Sequence, residues 1–306
     1  MVDQVPADEL RQLIAPFVVP DGQKVVLERD YDPKFKGRWL KKRDGEHALQ
    51  AGVELLAQYQ DRLAAQSTYG LLIVIQALDA AGKDGTIKHV MSGVNPQGVD
   101  VHSFKTPSEE ELRHDYLWRY AQRLPGRGQI GIFNRSHYEE VLVVRVHPEL
   151  LERERLPPGH DHADLWKRRY REINDWERYL VTNGIAIVKL FLNVSREEQR
   201  LRFLKRIESP ERNWKFSAAD LREREFWDEY QKALSAMLSH TSTKWAPWHV
   251  IPADHKWFAR IAVSAALVSK LIDIDPRYPT VDASTRQQLE AARVQLEGEQ
   301  GITQSA

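Results

Sequence analysis

LLIVIQALDAAGKDG, residues 71–85, is an apolar run of strand length that breaks directly into a Gly-Lys turn. Leu71–Leu78 lacks the polar alternation of a half-exposed strand, so it predicts a strand buried on both faces. Few chemistries need such a strand to deliver a lysine and a flexible backbone to one point, and phosphate binding is the main one. Backbone N–H groups at a helix start form a concave anion site, the helix dipole assists, and Lys83 adds a mobile positive charge. The phosphate-loop pattern G-x-x-x-x-G-K-[ST] is met in part. Gly82 and Lys83 fit it, while Ala77 stands at the first glycine and Asp84 at the metal-holding Ser/Thr. The plain alternative is a buried strand ending in an ordinary glycine turn with an exposed lysine.

Working outward, strand-like and helix-like patterns alternate. A helix is expected from about Glu46 to Ala65, where Leu49, Val53, Leu56 and Tyr59 recur at spacings of three and four. After the loop come a helix from Lys83 to about Ser92, a turn at Asn95–Gly98 and a short strand over Val99–Phe104. Thr106-Pro107-Ser108-Glu109 predicts a helix start, with Thr106 as cap and Glu109 closing a capping box, and that helix is expected to run to about Arg123. Further strands are expected at Gln129–Phe133, Ile185–Leu192 and Trp248–Ile251. Further helices are expected at Asp161–Asn183, Arg196–Glu208, Ser217–Met237 and Trp257–Ile274. The fold class is therefore α/β, a parallel sheet of about five strands with helices on both faces. The expected organisation is an N-terminal extension over 1–45, a phosphate-loop domain over 46–278 with a lid at 196–220, and a polar tail over 279–306. The basic segment Lys34–Arg43 falls in the extension.

Composition narrows the class. The 44 Lys and Arg balance 44 Asp and Glu, which argues against a globally basic nucleic-acid binder. The absence of cysteine removes disulfides and thiolate catalysis and suits a reducing interior. The start MVDQVPADEL is polar and acidic, without the apolar core of a signal peptide, and no run reaches the length of a membrane span. The expectation is a cytoplasmic globular protein, with neither nucleic acid nor membrane as partner.

In a parallel sheet, ligands gather at the carboxyl ends of the strands. One strand end carries Asp79, Gly82, Lys83 and Gly85. A second, IGIFNRSHYEEVL over 130–142, ends in Asn134, Arg135, His137, Tyr138 and Glu139. That is the place where phosphate-loop proteins hold magnesium and phosphates, but Asn134 is a neutral and poorer metal ligand than aspartate. Asp79 is then the best metal-site carboxylate. The expected phosphate-binding set around the loop is Ala80, Ala81, Gly82, Asp84, Gly85 and Lys88. A third element, REEQRLRFLKRIESPERNWK over 196–215, crowds Arg200, Arg202, Lys205, Arg206, Arg212 and Lys215 where phosphate-loop kinases carry a lid. Phosphoryl transfer needs its charge neutralised and its groups positioned, and such cations supply both. The acids Glu197, Glu198, Glu208 and Glu211 also suit a solvated helix face. His137 is a candidate phosphohistidine nucleophile, although a hydrogen-bonding role fits it better.

The strings DAAGKDGTIKHV, VNPQGVDVHSFKTPSEEELRHDYLWR, IFNRSHYEEVLVVRVHPE, RNWKFSAADL and TSTKWAPWHVIPADHKW resemble the polyphosphate kinase 2 family, from about Tyr31 to about Ile274. The asparagine of FNRS and Glu139 resemble its class III. The resemblance implies a three-layer phosphate-loop kinase fold with a helical lid. It also implies phosphorylation of AMP to ADP and ADP to ATP from inorganic polyphosphate, with Mg2+ as cofactor, and commonly an oligomer, often a tetramer. It implies catalytic roles for Asp79, Lys83, Arg135 and Glu139, with Asp79 binding magnesium. Nucleotide contacts are then expected at Asn134, His137, Tyr138 and Glu139. The metal is held either by Asp79 with phosphate oxygens and water, or with help from Glu139 or Glu140. An ATP-dependent nucleoside monophosphate kinase of the same fold is the alternative, and a non-catalytic phosphate-binding module is a third reading. Base preference between adenine and guanine is left open.

Overall fold

A computed structural model describes residues 7–37, 42–157, 162–211 and 213–302. Five strands, β1 (Gly70–Gln76), β2 (Val99–Ser103), β3 (Ile130–Asn134), β4 (Ile185–Asn193) and β5 (Trp248–Pro252), form one sheet in the order β2-β3-β1-β4-β5. Every pairing is parallel, and β1 lies at the centre with Val74 opposite Phe133 on one side and Lys189 on the other.

The apolar run of β1 is sorted by its pleat. Leu71, Ile73 and Ile75 face one helical layer, made by Lys42–Gln66 and Lys256–Ile274. Leu72 and Val74 face the other, made by His162–Thr182 and Trp227–Thr241. Successive side chains of a strand point to opposite faces, so a strand apolar at every position needs cover on both. The edge strand β2 is half exposed and correspondingly polar (VDVHS).

Residues 7–37 add to the same core. Val19 donates its N–H to Trp248 O at 2.8 Å, and Phe17 meets Phe35 and Phe258 edge-on. Of the basic segment, residues 38–41 lie outside the described residues. The sheet-bearing unit is Met1–Pro276, and a second unit, Arg277–Ala306, holds the helix Ala283–Ile302. Among the described residues, no helix is long and apolar enough to cross a membrane.

Two helices expected as continuous are broken. Between Thr106 and Arg123 there is only a 3-10 turn at Glu111–Arg113 and a short helix at Trp118–Ala121. The capping box sits two residues later than the motif suggested. Ser108 N donates to Glu111 Oε2 at 2.8 Å, and Glu111 N donates to Ser108 Oγ at 3.2 Å. Asp115 then accepts from Leu117 N at 3.0 Å, a local side-chain bond that competes with helix propagation. The segment after Ser217 likewise divides into Ala218–Glu223, a 3-10 turn Arg224–Phe226 and the helix Trp227–Thr241.

A charged network lies inside the apolar layer. Lys189 of β4 donates to Glu177 Oε2 at 2.7 Å, to Tyr138 Oη at 2.9 Å and to Thr241 O, and neither Lys189 nor Glu177 is exposed. Tyr138 Oη donates to Glu177 Oε1 at 2.7 Å, and His137 Nε2 lies 3.3 Å from the same oxygen. Burial alone would raise the Glu177 carboxyl, but Lys189 and His137 more than offset it and hold the group below the usual carboxylate range. Removing one member leaves a buried charge uncompensated. Lys189→Met is therefore expected to destabilise the protein by about 3–5 kcal/mol, read from urea denaturation midpoints. Lys189→Met with Glu177→Leu should recover part of that loss, whereas simple addition of the two single losses would show that the pair is not coupled.

Candidate active site

The chain leaves β1 at Gln76 and turns through Ala77–Gly82 into the helix Lys83–Val90. Gly82, the residue before the helix, has φ +107°, a conformation that L side chains rarely adopt. Ala80 is also left-handed, at φ +61°. Lys83 turns back along the loop and donates to Ala77 O at 2.9 Å. Burial, followed by the charge of Arg135, holds Lys83 below the usual lysine range, against the pull of Asp79, Glu139 and Asp84.

Arg135, one residue beyond β3, faces this loop. Its Nη2 donates to Asp79 Oδ1 at 2.8 Å and its Nη1 to Glu139 Oε2 at 3.1 Å. The four residues named as catalytic from sequence thus meet: Arg135 joins Asp79 to Glu139, and all three charges act on Lys83. Glu139 raises the Arg135 guanidinium above its ordinary value, burial opposes this and Asp79 adds to it. Arg135 has φ +66°, a strained conformation for a residue with a side chain, worth of order 1 kcal/mol or more. Ser136 fixes the segment behind it, since its Oγ accepts from Gln76 Nε2 and from Tyr138 N.

A cleft of about 810 Å³ runs from this point, lined by Ala80, Gly82, Lys83, Gly85, Lys88 and, from the helix Arg196–Glu208, Lys205 and Arg206. Sequence reasoning missed three further cations on its wall: Lys105, Lys256 and Arg260. Each follows the carboxyl end of a strand, β2 for Lys105 and β5 for the other two. The strand-end rule that singled out β1 and β3 would have found them.

Asp84 and Asn134 depart from a simple phosphate contact. Asn134 Nδ2 donates to Asp84 Oδ1 at 2.8 Å and lies 3.4 Å from Ser103 Oγ. The carboxylates of Asp79 and Asp84 therefore stand on one cleft wall among the cations. Among the described residues, no group of three or more His, Asp or Glu is placed to hold a metal ion. Two hard oxygen donors in one cleft do suit a magnesium ion whose remaining ligands are phosphate oxygens and water.

Several expected contacts are corrected by burial and pairing. His137 and Tyr138 are fully buried in the Glu177–Lys189 network, out of reach of a nucleotide, and burial lowers the His137 pKa. An imidazole without solvent access cannot carry a transferred phosphoryl group, so the phosphohistidine route is not available. Arg202 lines the cleft, but it is 8% exposed and its guanidinium is occupied by backbone carbonyls and by Glu198. Arg200 is exposed, pairs with Glu197 at 2.6 Å and does not line the cleft. Arg206 donates to Asp220 Oδ2 at 3.1 Å across the lid. Ala81 is buried beneath the loop. Arg212 and the side chain of Lys215 lie outside the described residues.

A second cleft, of about 660 Å³, opens on the other side of Arg135 and Glu139. Its wall mixes aromatic and polar groups, among them Phe104, Thr106, Tyr116, Arg119 and Tyr120. Glu140 belongs to this cleft and not to the phosphate loop. It is 7% exposed, lies 3.7 Å from Arg169 Nη1 and accepts from Tyr120 Oη at 3.4 Å. Arg135, Phe104 and Lys105 line both clefts, so the two adjoin there.

Known proteins share this arrangement of sequence and fold. The sequence profile described as Polyphosphate kinase 2 (PPK2) matches residues 39–278. The ADP-polyphosphate phosphotransferase of Rhodopseudomonas palustris is 47% identical over 281 residues, 92% of this chain and 97% of that protein. The AMP/ADP-polyphosphate phosphotransferase of Meiothermus ruber is 43% identical over 275 residues, 88% of this chain and 96% of that protein. The crystal structure of Polyphosphate Kinase 2 from Arthrobacter aurescens TC1 matches with a TM-score of 0.80 and 38% identity, covering 90% of this chain and 95% of that one. With the profile spanning most of the chain and relatives matched over nearly their whole length, this chain belongs to the polyphosphate kinase 2 family.

Proposed function

We propose that this chain phosphorylates AMP to ADP and ADP to ATP with inorganic polyphosphate as donor. The observation that carries the reading is the pair of clefts joined at Arg135, one railed with cations and one of mixed aromatic and polar character. A cleft lined by Lys83, Lys105, Lys205, Arg206, Lys256 and Arg260 suits an extended polyanion better than a single triphosphate. The mixed cleft suits a nucleoside, its phosphate turned toward Arg135. The names of the relatives from Rhodopseudomonas palustris and Meiothermus ruber describe the same chemistry in those proteins.

In this reading a terminal phosphate oxygen of the acceptor attacks the terminal phosphorus of polyphosphate in line. The new P–O bond forms as the bridging P–O bond of the donor breaks, and the shortened chain leaves with the electron pair. Lys83 and Arg135 spread the charge of the transferred phosphoryl oxygens, and Asp79 and Glu139 hold Arg135 at the junction. The loop turn and the helix start after Gly82 offer backbone N–H groups to the donor. Asp79 and Asp84 would hold Mg2+, which when bound neutralises phosphate charge.

Separating the nucleotides formed from AMP, polyphosphate and magnesium checks the reading. ADP and ATP should appear without added ATP, and chelation with EDTA should stop the reaction until magnesium is restored. Transfer to AMP only when ATP is supplied would instead support a nucleoside monophosphate kinase. Lys83→Ala is expected to lower kcat by about 10²–10³-fold.

Burial, with Glu154 alongside, pushes the Glu140 carboxyl up to about 7. Its folded value thus lies above its unfolded one, so the folded protein binds the extra proton. The stability from this group is full below the unfolded value and is lost as pH rises through about 7. Melting temperature should therefore fall between pH 5 and pH 8, and Glu140→Gln should flatten that slope by on the order of 5 °C at pH 8. An unchanged slope would show that Glu140 does not titrate there.

A further inference from the structure

Arg202 and Gln199 lie on the helix Arg196–Glu208, yet their polar atoms turn toward the loop and not toward solvent. Gln199 Nε2 donates to Asp79 O at 3.0 Å, and Arg202 Nη1 donates to Ala80 O at 3.2 Å and to Ala81 O at 2.6 Å. Three consecutive carbonyls of the donor loop are thus taken up by one helix. Arg202 Nη2 also reaches Ala253 O and, at 3.1 Å, Asp254 O, just beyond β5, while its Nε donates to Glu198 Oε1 at 2.7 Å. One bond from Nε and two from each terminal nitrogen use all five hydrogens of a guanidinium.

In a trans peptide the C=O of one residue and the N–H of the next point in opposite directions. Drawing the carbonyls of Asp79 and Ala81 toward the helix therefore turns the N–H groups of Ala80 and Gly82 away from it, and both residues line the donor cleft. The N–H of Ala81 instead closes a turn on Leu78 O. The left-handed backbone at Ala80, a residue with a side chain, needs such an external hold, whereas Gly82 adopts its own freely. The clamp also reaches the 3-10 turn Arg224–Phe226. Gln199 Oε1 accepts from Arg224 Nη1 at 2.7 Å, which orients the amide so that its NH2 faces Asp79, and Arg224 Nη1 also donates to Arg196 O.

We infer that Arg202 and Gln199 are positioning residues for phosphoryl transfer, holding the donor loop with its N–H groups turned to the phosphate and tying it to the lid. This rests on the loop being the polyphosphate cradle. Arg202, with every hydrogen engaged, holds the loop and does not itself grip the donor. A lysine keeps the charge but cannot replace a five-hydrogen fork.

The test is steady-state kinetics of the full chain with polyphosphate and AMP, together with melting curves. Arg202→Lys is expected to lower kcat by about tenfold or more, with KM for AMP nearly unchanged. Gln199→Leu, which alters no charge, should lower kcat in the same sense, and guanidinium ion should restore part of the activity of Arg202→Ala. Arg202→Lys with wild-type kcat, or with its loss confined to KM for polyphosphate, would overturn the proposal in favour of a direct phosphate contact. A kcat per folded molecule that is unchanged despite a lower melting temperature would overturn it in favour of a purely structural role. Lys83→Ala separates the two levels: wild-type activity in that variant removes the cradle reading itself, whatever Arg202→Lys does.

Discussion

β1 is covered on both faces, and a strand so placed can present polar groups only where it ends. The other four strands run parallel to it, so their carboxyl ends emerge at the same edge. Lys83, Lys105, Arg135, Lys205 and Lys256 follow β1, β2, β3, β4 and β5 in turn, yet they line one cleft. Their convergence is a consequence of strand direction and needs no separate device.

Gathering like charges at one edge has a cost, and the site shows how it is met. Asp79, Asp84 and Glu139 are interleaved with the cations, and Arg135 bridges two of them. Lys83 is still depressed by burial and by Arg135. Two of the left-handed non-glycine residues, Ala80 and Arg135, stand at the same place. Both residues are held from outside, Ala80 by Arg202 and Arg135 through the Ser136 and Gln76 contacts behind it. The carbonyls of the loop are satisfied by Gln199 and Arg202, which leaves its conformation independent of any bound group.

The buried Glu177–Lys189 network is the counterpart inside the layer. It fixes the 3-10 turn His137–Val141, which carries Glu139 on its exposed side and Tyr138 on its interior side. Adjacent residues of one motif therefore serve opposite ends, one in the site and one in the core.

The parallel sheet, the loop at Gly82-Lys83 and the meeting of Asp79, Lys83, Arg135 and Glu139 were legible because each follows from a local pattern. An apolar run of strand length, a Gly-Lys turn and an alternation of strands and helices are read from neighbours in the chain. The boundaries that failed, after Thr106 and after Ser217, depend on side chains such as Asp115 that compete with the helix by a single bond. Orientation was not legible. RSHYEE and RLRFLKR are runs of polar residues in which nothing in the order tells which side chain faces water. Only packing turned His137 and Tyr138 to Glu177, set Arg202 against the carbonyls of Ala80 and Ala81, and left Lys205 on the cleft. The sequence by itself thus determined which chemistry is present and at which edge it gathers. The tertiary structure decided which charges line the cleft and which bond the loop carbonyls, because burial and pairing are set by residues distant in the chain.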